Sequence, residues 1–308
     1  DDMELNGTVR EDMTMAGHLS YIEKEQYDRF SASGTIALSD MKLKMKEMPD
    51  VEIKKSLFTF TPKYLQLSET TVAIGKNDLT ADCRFENYMG YALKGSTLKG
   101  VLNVRSNHLN LNDFMTATTD STAQTSQASS TEETVSMIEV PQNIDFQMDA
   151  GLKEVLFDKM TFTNMNGKLI VKNGKVDMTN LSMNTMGGSV VMNGYYSTAD
   201  PKKPEMNAGF RMENIGFAQA YKALDMVQQM APIFENLKGN FSGNMHIRTL
   251  LDNQMSPVMD TMQGNGSLST QDLSLSGVKV IDQIAEAVKK PELKEMKVKD
   301  MTLDFTIK

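Results

Sequence analysis

The stretch GKLIVKNGKVDMTNLSMNTMGGSVVMNGY, residues 167–195, decides the fold of this chain. Apolar residues recur in it at every second position, and a period of two is typical of strands with one apolar and one polar face. The residues that define this face are Leu169, Val171, Val176, Met178, Leu181, Met183, Val190 and Met192. The pattern predicts that they line either a packed core or an apolar groove.

Turn signals separate these apolar runs. They are Asn173-Gly174, Asn180, Gly187-Gly188 and Asn193-Gly194. Asn-Gly favours the type I′ turn, because both of its central residues need a positive φ. The stretch is therefore predicted to be an antiparallel meander that turns at these four places.

The same alternation recurs through most of the sequence, from Leu5 and Val9 near the start to Leu303 and Phe305 near the end. It predicts a mainly β chain of about 18 to 20 short strands. We expect one large, curved antiparallel sheet that is groove-like or open and barrel-like. Periodicity alone leaves a sandwich or closed barrel as an alternative.

Two segments change to a helical period. In residues 216–231, Phe217, Ala220 and Leu224 recur at spacings of three or four, which predicts an amphipathic helix of about four turns that ends at Pro232. Residues 280–290 carry Ile281, Ile284, Ala285 and Val288 on one face and predict a second short helix, which Pro291 stops. No helix is expected between residues 5 and 111.

Residues 116–136 break the composition, because 12 of these 21 residues are Ser or Thr and none is Lys, Arg or aromatic. Such a tract buries too little apolar surface to offset the entropy of ordering. We expect a disordered loop or linker here. It divides an N-terminal β region, residues 1–115, from a C-terminal β region with both helices, residues 137–308.

Composition excludes several classes of protein. A net charge of −8 argues against a nucleic-acid partner, which requires clustered Lys and Arg. The one cysteine, Cys83, excludes an internal disulfide framework. No run of 18 apolar residues is present, so no segment is predicted to span a membrane as a helix. The polar start and strand-like end suggest a piece of a longer protein.

Motifs of known chemistry are missing from the sequence. His18, His108 and His246 are scattered and have no closely spaced Cys or carboxylate partners of the kind a zinc site needs. The sequence contains no GxSxG, HExxH or P-loop motif. We therefore expect no catalytic residue, no metal site and no cofactor, and the chain is not predicted to be an enzyme.

Several glycine-punctuated blocks resemble the AsmA family, which includes TamB-like proteins. The most specific block runs from Pro257 through Gly264-Asn265-Gly266 to Leu268 and continues with Asp272–Gly277. Gly167–Gly174 with the following Leu181 and Gly187-Gly188 resembles the hairpins of that family. Tyr27–Gly34, Phe58–Pro62 and Asn77-Asp78 resemble its upstream β region. The resemblance covers most of the chain outside the Ser/Thr tract.

The resemblance implies an envelope protein of Gram-negative bacteria. Such a protein has an N-terminal inner-membrane anchor, which lies outside this sequence, and a long periplasmic β body with an apolar groove. It implies a role in outer-membrane homeostasis through transport of phospholipid between membranes. The expected location is the periplasm, with the full-length protein tethered to the inner membrane.

Two functions remain open at this point. The first is a non-enzymatic groove that binds or conducts the acyl chains of phospholipid or another lipid along the apolar face. The alternative is a scaffold that binds envelope assembly proteins and modulates outer-membrane protein assembly without carrying lipid. A glycan-binding adhesin would display aromatic platforms, and the lack of Trp disfavours it.

Overall fold

Alternating apolar and polar residues make most of the chain extended. The computed structural model describes residues 3–18, 20–21, 31–45, 49–117, 138–277, 283 and 285–308. These residues form one large, curved, mostly antiparallel sheet, which confirms the predicted mainly β fold. The described sheet has 15 strands rather than 18 to 20, because all but one of them are 9 to 15 residues long.

The strands follow the chain almost in order. They are β1 Met3–Ala16, β2 Ser31–Met45, β3 Val51–Phe60, β4 Tyr64–Ile74, β5 Asn77–Glu86, β6 Leu98–Ser106, β7 Leu109–Asn110, β8 Ile144–Phe157, β9 Met160–Lys172, β10 Lys175–Thr185, β11 Gly188–Ser197, β12 Glu205–Gly216, β13 Leu237–Leu250, β14 Gln263–Ser276 and β15 Glu295–Ile307.

Each strand pairs antiparallel with the next, except at one seam. There β6 runs parallel to β8, in a register that extends from Leu98 opposite Ile144 to Ser106 opposite Leu152. The short β7 continues the line of β6 and pairs with the last part of β8. The sheet is therefore continuous between the two predicted β regions. Among the described residues, β1 and β15 form its two edges.

The meander of residues 160–197 has fewer turns than the sequence predicts. Asn173 and Gly174 form the expected turn, with φ of 54° and 72°. The next turn lies at Met186-Gly187, one residue earlier than predicted. The turns predicted at Asn180 and Asn193-Gly194 are wrong, because β10 and β11 continue through these residues. Asn180, with φ of 48°, instead forms a β-bulge, at which one extra residue is accommodated within the strand.

Two short helices occur where the sequence predicts none or only strands. Helix α1, Tyr88–Lys94, connects β5 to β6, and helix α2, Asn112–Ala117, follows β7. The prediction missed α1 because a helix of seven residues is too short to establish an amphipathic period. Residues 118–136 lie outside the described residues, so the predicted linker stays a prediction.

The predicted helix at 216–231 is interrupted. It consists of α3, Phe217–Ala223, and α4, Asp225–Met230, and Leu224 between them is extended, with φ of −121° and ψ of 107°. Pro232 does not end the helical segment but begins a 3₁₀ helix, Pro232–Asn236. Of the predicted helix at 280–290, residues 283 and 285–287 are helical, and residues 280–282 and 284 lie outside the described part of the chain.

Most of the helical insertions lie at one end of the sheet, which we call the helical end. The strands β8, β10, β12 and β14 finish there, and α2, α3, α4 and residues 283 and 285–294 lie in connections on that side, whereas α1 lies at the opposite end. A buried hydrophobic cluster lies at the helical end, where α3 packs on the sheet. Its buried residues are Leu181, Met183, Val190, Met212, Ile215, Phe217, Ala220, Leu237, Phe241 and Leu273.

Candidate functional site

The structure places all eight residues singled out in the sequence on one face of the sheet. Direct cross-strand partners lie on the same face, and four such pairs contain the whole set. The pairs are Leu169 with Met178, Val171 with Val176, Leu181 with Met192, and Met183 with Val190. The bulge at Asn180 shifts the alternation by one residue, so that Leu181 follows Met178 on the same face.

This apolar face extends across almost the whole sheet. One row of registered partners crosses thirteen strands without a polar or charged side chain. Its members, in order, are Ile36, Phe58, Leu67, Cys83, Leu102, Met148, Leu169, Met178, Gly194, Ala208, Ile247, Gly264 and Ile307.

The neighbouring row on the opposite face has a different chemistry. It contains Thr35, Thr59, Gln66, Arg84, Val101, Gln147, Ile170, Asp177, Tyr195, Asn207, Arg248 and Gln263. Only Val101 and Ile170 are aliphatic, and both are well exposed. The sheet is therefore amphipathic across its width, with a distinct apolar face and a distinct polar face.

Burial of the apolar face varies along and across the sheet. Leu181, Met183 and Val190 are buried in the core at the helical end, and Met178 and Met192 pack against it partly buried. Leu169, Val171 and Val176, which lie farther from that end, keep partial exposure. In the row of thirteen, only Cys83, Ala208 and Ile247 are buried, and the other ten are partly exposed. Most of this row is thus accessible from outside.

The edges of the apolar face are open to solvent. In β1, Leu5 and Met15 are 58% and 59% exposed. In β15, Met296 and Leu303 are 49% and 48% exposed. The apolar face is therefore not covered at its two edges.

Several polar side chains that lie on the apolar face form hydrogen bonds with neighbouring protein groups. The Ser56 and Thr70 hydroxyls are buried and hydrogen-bonded to each other at 2.7 Å. The Tyr196 hydroxyl donates to the carbonyl oxygen of Ile138 at 2.7 Å, and burial, with a contribution from Glu139, raises the pKa of Tyr196 to about 12. Burial, together with the Asp82 charge, also raises the pKa of the Cys83 thiol, so this cysteine is a weak nucleophile.

A second polar cluster marks the break between β6 and β7. The Asp78 carboxylate accepts hydrogen bonds from the backbone N–H groups of Asn107 and His108, the latter at 2.6 Å. His108 Nδ1 lies 2.6 Å from Glu154 Oε2, so His108 has a carboxylate partner that sequence spacing did not reveal. The signal was absent because β5, β7 and β8 bring the partners together from distant parts of the chain.

The described residues contain no group of three His, Cys, Asp or Glu side chains suited to holding a metal ion. Among the same residues, no helix has the length and apolar character needed to cross a membrane. The fold and its site define the chain as an open, mainly antiparallel sheet with one continuous apolar face. No family model matches the chain, and no curated protein or solved structure matches it either.

Proposed function

We propose that this chain is a non-enzymatic β-groove module of an AsmA-like envelope protein and that its apolar face binds or conducts phospholipid acyl chains. The observation that supports this proposal is the row of thirteen apolar or glycine residues, most of which are partly exposed. Burying an acyl chain against such a row is favourable by roughly 0.8 kcal/mol per methylene. Lipid headgroups would remain outside, in water.

Continuity of the row supports movement as well as binding. Strands about 4.8 Å apart give a path on the order of 60 Å across thirteen strands. Since no charged side chain interrupts this path, an acyl chain that slides along it would cross no large electrostatic barrier. The location that goes with this proposal is the periplasm, with an inner-membrane anchor outside the sequence.

The test compares two adjacent residues of β9 that point to opposite faces. Leu169→Glu places a charge on the apolar face, whereas Ile170→Glu places the same charge on the polar face, where Ile170 is already 45% exposed. We expect phospholipid to co-purify with the wild-type protein and with Ile170→Glu, and to be lost from Leu169→Glu. Lipid extraction and native mass spectrometry measure this, and circular dichroism checks that both variants fold.

The proposal fails if the wild-type protein carries no lipid after purification and takes up none from phospholipid vesicles. It also fails if both variants keep their lipid. If the wild-type protein carries no lipid, the partial exposure of the apolar face reflects only loose packing of its own side chains.

A scaffold function is the second candidate, and the sheet edges favour it. β1 and β15 are 14 and 13 residues long, and each pairs with only one described strand. Such edges can accept a strand of a partner protein by β-augmentation. Cross-linking to envelope assembly proteins that persists in Leu169→Glu would favour this scaffold over the lipid groove.

A further inference from the structure

Two insertions lie side by side at the helical end of the sheet. The first, residues 217–236, connects β12 to β13, and the second, residues 277–294, connects β14 to β15. Because β13 and β14 are neighbours, both insertions emerge from adjacent strands. They approach closely, since a Cβ added to Gly277 would lie 3.5 Å from the side-chain oxygen of Asn236.

Lysines converge on the polar face next to the second insertion. Lys238 in β13 and Lys297 in β15 are both registered with Ser274 of the intervening β14. Together with Lys294 and Glu295 they line an open depression of about 690 Å³. Lys294 bonds Glu286 at 2.8 Å, and the Glu295 carboxylate accepts from the Ser274 hydroxyl at 2.7 Å.

The charge of this region is opposite to that of the whole chain. The charged residues that line the depression are three lysines and one glutamate, whereas the complete chain has a net charge of −8. Glu295 is one of the acids in contact with this lysine group: its hydrogen bond from Ser274, followed by the charges of Lys297 and Lys238, lowers the pKa of Glu295.

Exposed apolar side chains accompany the lysines. Met230 and Ile233 in the first insertion are 44% and 46% exposed, and Val288 in the second is 51% exposed. None of these side chains belongs to the buried core that α3 forms with the sheet. Basic groups and exposed apolar side chains at the same end of the sheet are the two components that bind an anionic membrane interface.

We propose that the helical end docks on an anionic phospholipid surface. Lys238 and Lys297 would attract the headgroups, and Met230, Ile233 and Val288 would enter the region between headgroups and acyl chains. The docked end adjoins the apolar face, because Leu237, Leu275 and Met296 form a registered row of that face one residue away from Lys238. This inference rests on the proposed lipid groove, for which it places lipid entry or exit at the rim of the sheet beside β13, β14 and β15.

The experiment is flotation of the purified chain with vesicles at low salt. One vesicle population is phosphatidylcholine alone, and the other contains phosphatidylglycerol. The test variant is Lys238→Ala with Lys297→Ala. The matched control is Lys54→Ala with Lys168→Ala, which removes two exposed lysines from β3 and β9, strands that neither insertion connects.

We expect the wild-type chain and the control to float only with the anionic vesicles. The test variant should bind them roughly 25-fold more weakly, since each of the two lysines near such a surface contributes about fivefold. A second variant, Met230→Ser with Ile233→Ser, should also lose binding while the charge is unchanged. Equal loss in the control and the test variant, or no binding by the wild-type chain, would overturn docking at this end.

Lipid content measured on the same samples separates the two proposals. Vesicle binding by a chain that carries no lipid would refute the groove and leave the docking surface intact. Co-purified lipid without vesicle binding would do the reverse.

Discussion

At the scale of the residue, Asp78 illustrates how one carboxylate stabilises a strand break. Burial alone would raise the pKa of the Asp78 carboxyl, but hydrogen bonds from the backbone of Asn107 and His108 and from the side chains of Asn107 and Ser106 outweigh it and lower the pKa below the usual 3.8. The charged form is therefore favoured by folding. This carboxylate holds β7 in line with β6.

Replacement of Asp78 by Asn should destabilise the protein by about 1 kcal/mol at pH 7, because the neutral amide oxygen accepts these hydrogen bonds more weakly and solvent screens the partly exposed charge. Since the folded pKa is lowered, the stabilisation is complete above the usual pKa and disappears as the pH falls through the lowered folded pKa. Urea unfolding of Asp78→Asn and the wild-type protein between pH 7 and pH 2.5 measures this difference.

Asp304→Asn, at an exposed position in β15, is the control and should leave stability nearly unchanged. A deficit for Asp78→Asn that persists undiminished at the lowest pH would contradict the role given to the charge of Asp78.

Two leucines of the apolar face distinguish packed from accessible positions. Leu181 is buried in the core cluster, whereas Leu169 is only partly buried. Leu181→Ala should cost about 3 kcal/mol, and Leu169→Ala less than half of that, because the cost depends on the cavity left behind. Thermal unfolding of lipid-free protein measures both, and equal costs would indicate that the whole face is a packed core.

The sequence predicts which residues share this face but not how deeply each is buried. Alternation predicts the same face of the sheet for Leu169 and Leu181, because it indicates only the side on which a side chain lies and not its depth of burial. Their difference comes from the core cluster at the helical end, which includes Leu181 and residues of β12, β13 and α3 from distant parts of the chain but not Leu169. Asn180 likewise has the sequence signature of a turn, and only the register distinguishes it from a bulge.

At the scale of the element, the first helical insertion is fixed by three aromatic rings. The Phe217 ring centroid lies 4.8 Å from that of Phe234 and 4.9 Å from that of Phe241. Phe217 is fully buried in α3, and Phe234 belongs to the 3₁₀ helix. The contact thus ties the end of the insertion to its beginning and to β13.

Phe234→Ala should loosen this insertion without unfolding the sheet, because the buried Phe217 and Phe241 still anchor α3. We expect faster amide hydrogen exchange in residues 225–236 and unchanged exchange in β9 and β10. Hydrogen-exchange mass spectrometry measures both regions in one experiment. Faster exchange throughout the sheet would mean that Phe234 supports the core as a whole.

The break at Leu224 shows why the helices are harder to predict from the sequence than the residues that share the apolar face. Phe217, Ala220 and Leu224 satisfy a helical period, so the sequence predicts one helix of four turns. The extended Leu224 ends α3, and the chain then returns so that Phe234 contacts Phe217. Such a choice depends on tertiary packing, which overrides local propensity.

At the scale of the whole molecule, the parallel seam between β6 and β8 joins the two parts of the sheet. Phe85 of β5 and Phe146 of β8 meet across Gly100 of β6, with ring centroids 5.6 Å apart. A Cβ on Gly100 would lie 2.9 Å from both rings. The glycine therefore lets the two aromatic rings close the apolar face over the seam.

Gly100→Ala should destabilise the protein by about 1–3 kcal/mol, because the added methyl group forces these rings apart. Gly209→Ala is the matched control, since its Cβ would have no neighbour closer than 3.9 Å. Hydrogen exchange should increase mainly in β5, β6 and β8 of Gly100→Ala. Equal effects of the two substitutions on the unfolding midpoint would show that the seam has room for a methyl group.

The seam also affects how the protein forms during synthesis. Most strands can pair with the strand before them as soon as they leave the ribosome. β6 must wait for the 37 residues from 107 to 143 before β8 begins to appear. At roughly 5–20 residues per second, this wait is about 2–7 s. For that time the unpaired edge of β6 is open to other chains, so the seam is the step at which we expect chaperone binding or misassembly during biosynthesis.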